Sequence, residues 1–319
     1  MLLQPVLRRV LTADLVIVEQ ANKHLINYLL LLLSRLRLKK VAYWGHGWHR
    51  QQRNPNSLSA MAKKRLIKHP DWWFAYTSSA AEYLRSQGVE AGIITVAQNS
   101  LDLAAFQEAL ASVGDEELEH LRTDLGMDEQ CLVGLFCGRL YRGKRIPFLL
   151  QVAVEIRRLL PWFHLVIIGE GPERELVEDL SKWEKGIHFV GAKVGKQKAA
   201  FFRLAQVFLN PGVVGLAILD AFAGGLPFIT TDIPHHGPEI DYLENGKNGL
   251  KCGPSLSAFA GTVVEVLTDR SLHARLSAGA KASGQEYSLA AMVRNFKGGI
   301  LHCLSIGRPR EGRRGSALP

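Results

Sequence analysis

The sequence predicts an α/β fold with a doubly wound parallel sheet in its second half, and three observations carry that prediction. Leu132-Val133-Gly134-Leu135-Phe136 is an apolar run without polar alternation, the pattern of a strand covered on both faces. From there to Asp232, short apolar runs and helical patterns alternate in regular succession. Several runs end in glycine-bearing loops, among them Gly169-Glu170-Gly171-Pro172. A chain of 319 residues is long enough for two domains, each with a sizeable core.

Taken in order, Leu15-Val16-Ile17-Val18 reads as a first strand and residues 21–36 as a helix. Residues 40–43 form a second strand, followed by the loop Trp44-Gly45-His46-Gly47-Trp48-His49-Arg50. Glycines on both sides of His46 let the backbone bend sharply and present the imidazole at a strand's carboxyl end, where open α/β sheets bind ligands. A basic helix with Lys63, Lys64, Arg65 and Lys68 comes next, then a strand at 73–77. The following helix is capped by Ser78 or Ser79 and stops at Gly88. A fourth strand at 93–96 leads into Gln98-Asn99-Ser100-Leu101-Asp102.

In the second half, strands are expected at 132–136, 163–168, 187–190, 207–209, 228–231 and 249–251. Helices are expected over 147–159, 173–183 and 197–204, and from Gly215-Leu216 to the Gly224-Gly225 pair. Three helices close the chain. This organisation suggests a first domain over 1–110, a second over 111–288, a last helix at 289–306, and a disordered Gly/Arg/Pro tail at 307–319.

The net charge of +9 is uneven, with about +7 of it before residue 113. Such a basic N-terminal part suggests an acidic partner surface, anionic lipid first, against the alternative of an ordinary solvated face. The stretch LINYLLLLL at 25–33 is too short to span a bilayer before Arg35, Arg37, Lys39 and Lys40 arrive. It reads as a buried helix in preference to one lying on a membrane surface. Arg8 and Arg9 inside the first apolar run are in the wrong order for a signal peptide. Cys131, Cys137, Cys252 and Cys303 show no ligand spacing and read as reduced thiols of a cytoplasmic protein. The basic residues lack interleaved stacking aromatics, which argues against nucleic acid.

Chemistry concentrates in residues 208–232, FLNPGVVGLAILDAFAGGLPFITTD. A turn at Pro211-Gly212 leaves the first amides of the next helix free to face an anion, so a phosphate site is the natural expectation. Asp220 is a carboxylate inside an otherwise apolar helix, costly to bury without a donor; a capping or ion-paired residue is the plainer reading. Arg139 and Lys144 share one loop, the first a planar fork for phosphate oxygens and the second a compact charge. By composition alone, two cations on one loop read first as a solvated surface.

These residues also carry a family resemblance. Asp220-Ala221 with Gly225-Leu226-Pro227 resembles the signature helix of the family 4 retaining glycosyltransferases, in a form similar to a bacterial surface-polysaccharide sub-branch. Gly138-Arg139-Leu140 with Lys144 is similar to the family's G-R-L-x-x-x-K loop, and Gly45-His46-Gly47 resembles its His-Gly loop. Asn99-Ser100-Leu101-Asp102 resembles the signature that closes the family's N-terminal domain. One departure stands out: the family's first acid falls, eight residues before Asp220, on Gly212.

The resemblance implies a GT-B fold, two Rossmann-like domains facing a cleft. The N-terminal one is incomplete here, because only one strand–helix unit precedes the strand that carries the His-Gly loop. The last helix would cross back to that domain. The implied activity moves a sugar from a nucleotide-diphosphate donor to a saccharide or lipid-linked acceptor, with retention, in cell-surface polysaccharide biosynthesis. Arg139 and Lys144 would hold the diphosphate without a metal or other cofactor, and Asp220 the ribose hydroxyls. Gly138, Gly171, Pro172, Gly215 and Leu216 would line the donor, and the backbone of Ala192 and Lys193 would meet the base. His46 would orient the transferred sugar. The implied setting is the cytoplasm, at the inner face of the membrane through the basic N-terminal domain. The alternative is a non-catalytic nucleotide-sugar-binding subunit; an epimerase or phosphorylase would need other acids or a cofactor lysine.

Overall fold

The computed structural model describes residues 7–20, 25–47 and 67–306. They form two units, one holding the residues up to Gln98 and from Ala290 onward, the other Asn99–Leu289.

The first unit runs α1 (Leu7–Thr12), β1 (Leu15–Glu19), α2 (Leu25–Arg35), β2 (Lys40–Gly45), β3 (Trp72–Ala75), α3 (Ser78–Ser86) and β4 (Ile94–Val96). The strands pair in parallel in the order β1-β2-β3-β4. Side-chain alternation along β3 sends Trp73 and Ala75 to a core with Tyr43, Ala80 and Leu84. Trp72 and Phe74 go to the opposite face. There the closing helix (Leu289–Ser305) supplies Phe296, stacked on Phe74 at 4.5 Å. Lys40 Nζ donates to the carbonyls of Cys303 at 2.6 Å and Ile306 at 2.9 Å, a cation at the helix end where carbonyls lack partners.

Two readings change in this unit. The helix α3 is capped by Thr77, whose hydroxyl accepts from the Ala80 amide, so the cap lies one residue before Ser78. And α2 is buried on one face only: Leu30 and Leu31 enter the core, but Tyr28, Leu29 and Leu32 are 43%, 40% and 52% exposed. A uniformly apolar run hides which face packs. Among the described residues no helix is long and apolar enough to cross a membrane. The expected basic helix at Lys63–Lys68, apart from Lys68, and the expected tail after residue 306 lie outside the described residues, as do Trp48, His49 and Arg50.

The second unit opens with α4 (Ala104–Ser112) and α5 (Asp115–Asp124). It continues through β5 (Leu132–Cys137), α6 (Ile146–Leu159), β6 (Phe163–Ile168), α7 (Arg174–Trp183), β7 (Ile187–Gly191), α8 (Gly195–Leu204) and β8 (Val207–Leu209). Then follow α9 (Ala217–Ala223), β9 (Phe228–Thr231), β10 (Gly249–Cys252), α10 (Leu256–Thr268) and α11 (Arg270–Glu286). The division between units falls at Gln98/Asn99, earlier than 110/111, because α4 belongs to the second unit: Phe106 meets Phe202 of α8 edge-on at 5.1 Å. All six strands are parallel, in the order β10-β9-β8-β5-β6-β7. Along β6, Val166 and Ile168 enter one core while Phe163, Leu165 and Ile167 enter the other, so helices cover both faces.

Candidate active site

From β5 the chain proceeds outward to β6 and β7 on one side, and later to β8, β9 and β10 on the other. The loops after β5 and β8 therefore diverge from neighbouring strands at the point where open α/β sheets bind ligands. The first runs through a 3-10 turn, Arg142–Lys144, to Arg145, which sits in the left-handed region at φ 56. Arg145 is held there by its guanidinium, which donates to Thr231 Oγ1 at 3.1 Å and to the Pro254 carbonyl at 3.3 Å, and covers the Phe148 ring at 4.0 Å.

The second loop lies directly on this turn. The Val213 amide donates to the Gly143 carbonyl at 2.8 Å, and Lys144 Nζ donates to the Val213 carbonyl at 2.6 Å. A Cβ at Gly212 would stand 2.3 Å from the Gly143 carbonyl oxygen and 2.5 Å from Lys144 Cα. Only glycine lets the two backbones approach this closely, so the missing acid at 212 has a steric cause. Lys144 is 7% exposed, and burial brings its ammonium down to about 8, against the opposing pull of Glu239 and then Cys137. One acceptor among the described residues for three N–H donors leaves that ammonium under-satisfied.

Beyond Val214 the amides of Gly215, Leu216 and Ala217 donate to no acceptor among the described residues, and a Cβ at Gly215 would meet open space. The helix begins at Ala217, two residues later than Gly215, because Leu216 acts as the N-cap. Its far end closes as expected at glycine: Gly225 has φ 68, and the Leu226 amide reaches back to the Ala221 carbonyl at 2.9 Å.

A third loop, after β9, folds over the second. His236 is buried; its Nδ1 accepts the Val214 amide at 3.2 Å while Nε2 lies 2.8 Å from the Thr231 carbonyl, which assigns the proton to Nε2. The Gly237 amide donates to the Val214 carbonyl at 3.0 Å. Glu239 is buried and accepts from Asn99 Nδ2 at 3.2 Å. Burial raises its carboxyl above the usual range, opposed by hydrogen bonds from its own amide and Asn99 and by the Lys144 charge.

Residues 132–269 match the model of the family Glycosyl transferases group 1. That match lies within the second unit and spans less than half of the chain. The chain is also 27% identical over 166 residues to alpha-monoglucosyldiacylglycerol synthase of Acholeplasma laidlawii, covering 50% of this chain and 40% of that one. It is 29% identical over 118 residues to the UDP-N-acetylglucosamine–peptide N-acetylglucosaminyltransferase GtfA subunit of Streptococcus agalactiae, covering 36% of this chain and 23% of that one. It thus spans less than half the length of these curated relatives. In fold it resembles the crystal structure of Anabaena Alr3699/HepE in complex with UDP-glucose, with a TM-score of 0.70 at 17% identity, covering 93% of this chain and 80% of that one. The two Rossmann-like units are those of the GT-B fold.

Within residues 132–269 the expected residues fall into four groups. Lys144, Gly215 and Leu216 come together around the 212–217 turn, and Arg139, exposed and without a hydrogen bond or ion pair among the described residues, shares the Lys144 loop. Asp220 is ion-paired: Lys198 Nζ lies 2.8 Å from its Oδ2 and 4.4 Å from the Phe106 ring centroid. Its plainer reading is therefore what the structure shows, with Oδ1 left over as an acceptor. Gly171 serves close packing: the Leu140 amide donates to the Glu170 carbonyl at 2.8 Å, and a Cβ at Gly171 would stand 2.2 Å from the Leu140 oxygen, whereas a Cβ at Gly138 would meet nothing nearer than Phe136 at 3.8 Å. Pro172 and Ala192 are exposed, and Lys193 lines a shallow groove with His120 and Asp124 of α5. Cys137, at the end of β5, feels Lys198, Asp220 and Lys144, so these charges surround one strand end; burial pushes its thiol up to about 12.

In the first unit, β2 ends at Gly45 and His46 follows half-buried, edge-on to Tyr76 at 5.9 Å. Gln20 holds this loop: its Oε1 accepts the Gly47 amide at 3.0 Å and its Nε2 donates to the Gly47 carbonyl at 3.4 Å. Gln20, Lys198 and Glu239 carry no site signal of their own in the sequence, and His236, which reads there as facing either the cleft or solvent, is buried. The run Pro234-His235-His236-Gly237-Pro238-Glu239, dense in polar and turn residues just after a buried strand, was the available signal for two of them. Among the described residues no cluster of three metal-binding side chains occurs, and the four cysteines are unpaired.

Proposed function

We propose that the chain is a glycosyltransferase that takes a sugar from a uridine-diphosphate donor and passes it, with retention, to a saccharide or lipid-linked acceptor in cell-surface polysaccharide assembly. The carrying observation is the buried Lys144 ammonium, with one acceptor among the described residues, beside three amides with none. Donors without acceptors around a turn fit phosphate oxygens. Charge held there also stabilises a leaving diphosphate as the glycosidic bond breaks. The uridine base is taken from the Streptococcus relative and the Anabaena structure, both named with a UDP-sugar, while the relatives' names point to a glycolipid product in one case and a peptide in the other.

In this reading Arg139 reaches the same diphosphate, Asp220 offers Oδ1 to the ribose, and His46 acts on the transferred sugar. The two cations take the place of a divalent metal, so turnover should survive EDTA. Peripheral attachment to the inner membrane face is supported by the exposed Tyr28, Leu29 and Leu32 beside Arg35 and Arg37, and flotation with anionic vesicles tests it.

Calorimetric titration with UDP, GDP and ADP is the direct test. UDP binding that vanishes in Lys144→Met is the expected result; no binding of any of the three would overturn the proposal. A non-catalytic nucleotide-sugar-binding subunit is the second reading, favoured by the glycine at 212. Donor hydrolysis or transfer by the purified chain separates it from an enzyme.

A further inference from the structure

Position 212 has no room for the acid that the family resemblance places there, since any Cβ would strike the Gly143–Lys144 backbone. A buried carboxylate nevertheless lies beside the same turn. Glu239 Oε2 is 2.9 Å from where a Cβ on Gly237 would sit, and Gly237 itself is bonded to Val214. Lys144 is bonded to Val213, the neighbouring residue. The two charges feel each other, yet no ion pair closer than 4.0 Å joins them. Each is buried with spare hydrogen-bonding capacity: Lys144 uses one donor of three, and Glu239 has Asn99 as its one side-chain donor.

A third group points the same way. Asn210 is 1% exposed, its Nδ2 donates to the Val213 carbonyl at 3.3 Å, and its Oδ1 has no partner among the described residues. Among the described residues, two spare ammonium donors, a carboxylate with acceptor capacity left over and an orphaned amide oxygen thus lie around residues 213–214. Buried groups of both kinds are costly to leave unmatched. A phosphate would satisfy the donors alone. A polyol satisfies both, because each hydroxyl donates and accepts.

We infer that Glu239 is the specificity-determining carboxylate for the donor sugar, accepting hydrogen bonds from its ring hydroxyls. The inference rests on the nucleotide-sugar reading above. A site that hydrogen-bonds hydroxyls rejects a sugar lacking one, or presenting it on the other face, because the buried carboxylate then stays unpaired. Asn99, on the opposite side of the carboxylate, acts as its positioning residue.

The test is titration of the full chain with UDP, UDP-glucose, UDP-galactose and UDP-N-acetylglucosamine, comparing wild type, Glu239→Gln and Glu239→Asp. It is run at pH 6.5, where Lys144 keeps its proton. Wild type should bind one UDP-sugar more tightly than UDP. Glu239→Gln should bind UDP no more weakly than wild type but lose about tenfold or more of affinity for that sugar nucleotide, with its preference among the three flattened. Unchanged binding of both ligands would overturn the role of Glu239 and leave the nucleotide site standing. Equal losses for UDP and the UDP-sugar would also overturn it, since the residue would then act on the turn. Failure of wild type to bind even UDP removes the underlying reading, and this inference with it. If Glu239→Gln melts well below wild type, the decision passes to Glu239→Asp, where an unchanged sugar preference refutes the assignment.

Discussion

Replacing Gly212 by alanine adds one methyl group at the tightest point of the candidate site. The new Cβ would lie 2.3 Å from the Gly143 carbonyl oxygen and 2.4 Å from the Lys144 carbonyl carbon, both backbone atoms. Ordinary contact needs roughly another ångström, so one loop must move, at an overpacking cost of about 1–3 kcal/mol. That movement strains the Val213–Gly143 and Lys144–Val213 hydrogen bonds, each worth about 1 kcal/mol. A total of about 2–4 kcal/mol translates, for a unit of this size, into a melting point lower by roughly 5–12 °C. Gly215→Ala is the control, because nothing lies within 4 Å of its Cβ; its melting point should stay within about 2 °C of wild type. Urea unfolding and UDP titration on both variants decide the matter. A Gly212→Ala protein as stable as Gly215→Ala, with UDP affinity intact, would show that the two loops are not packed as described.

Three further outcomes follow from the charges. Lys144→Met removes a buried, poorly satisfied ammonium, so the ligand-free protein should melt no lower than wild type while UDP affinity falls at least about tenfold; calorimetry with a parallel melt separates the two effects. Lys144 has a folded value near 8 against the 10.5 of an unperturbed lysine. The unfolded chain therefore binds more protons between those limits, and ligand-free stability should rise with pH across that window while UDP affinity declines above about pH 8. The stacked pair His164 and His188, ring nitrogens 2.8 Å apart, works in the opposite range. Burial, then His164 and Arg157, lower His188 from 6.5 to about 4, so its contribution is present above pH 6.5 and is lost as pH falls toward 4. Urea midpoints measured across that interval should drop for wild type and flatten for His188→Leu.

Much of the second sheet was legible because its strands are apolar runs bounded by glycine and proline, and each begins within a residue of its expected place. The helices α4 and α5 were not, since α4 buries Phe106 alone and α5 has no buried residue, leaving little periodicity to read. The donor-side loop was legible as a pattern, GRLYRGK, while its packing was not: Lys144 reads as a surface cation and is nearly enclosed. Contacts that join distant positions left no local trace. Asn99 meets Glu239 across 140 residues and Lys198 meets Asp220 from another helix, and no spacing rule encodes such pairs.

The return of the closing helix to the first sheet has a consequence for how the chain matures on the ribosome. Lys40 finds its acceptor on Cys303, 263 residues later, and Phe74 lacks its stacking ring until Phe296 has been made. Residues 99–289 are contiguous and can condense as soon as they emerge, whereas the earlier-made sheet must wait with one apolar face uncovered. Synthesis order and completion order are therefore reversed. A chain stalled before residue 290 would expose Trp72 and Phe74 to whatever chaperone is at hand.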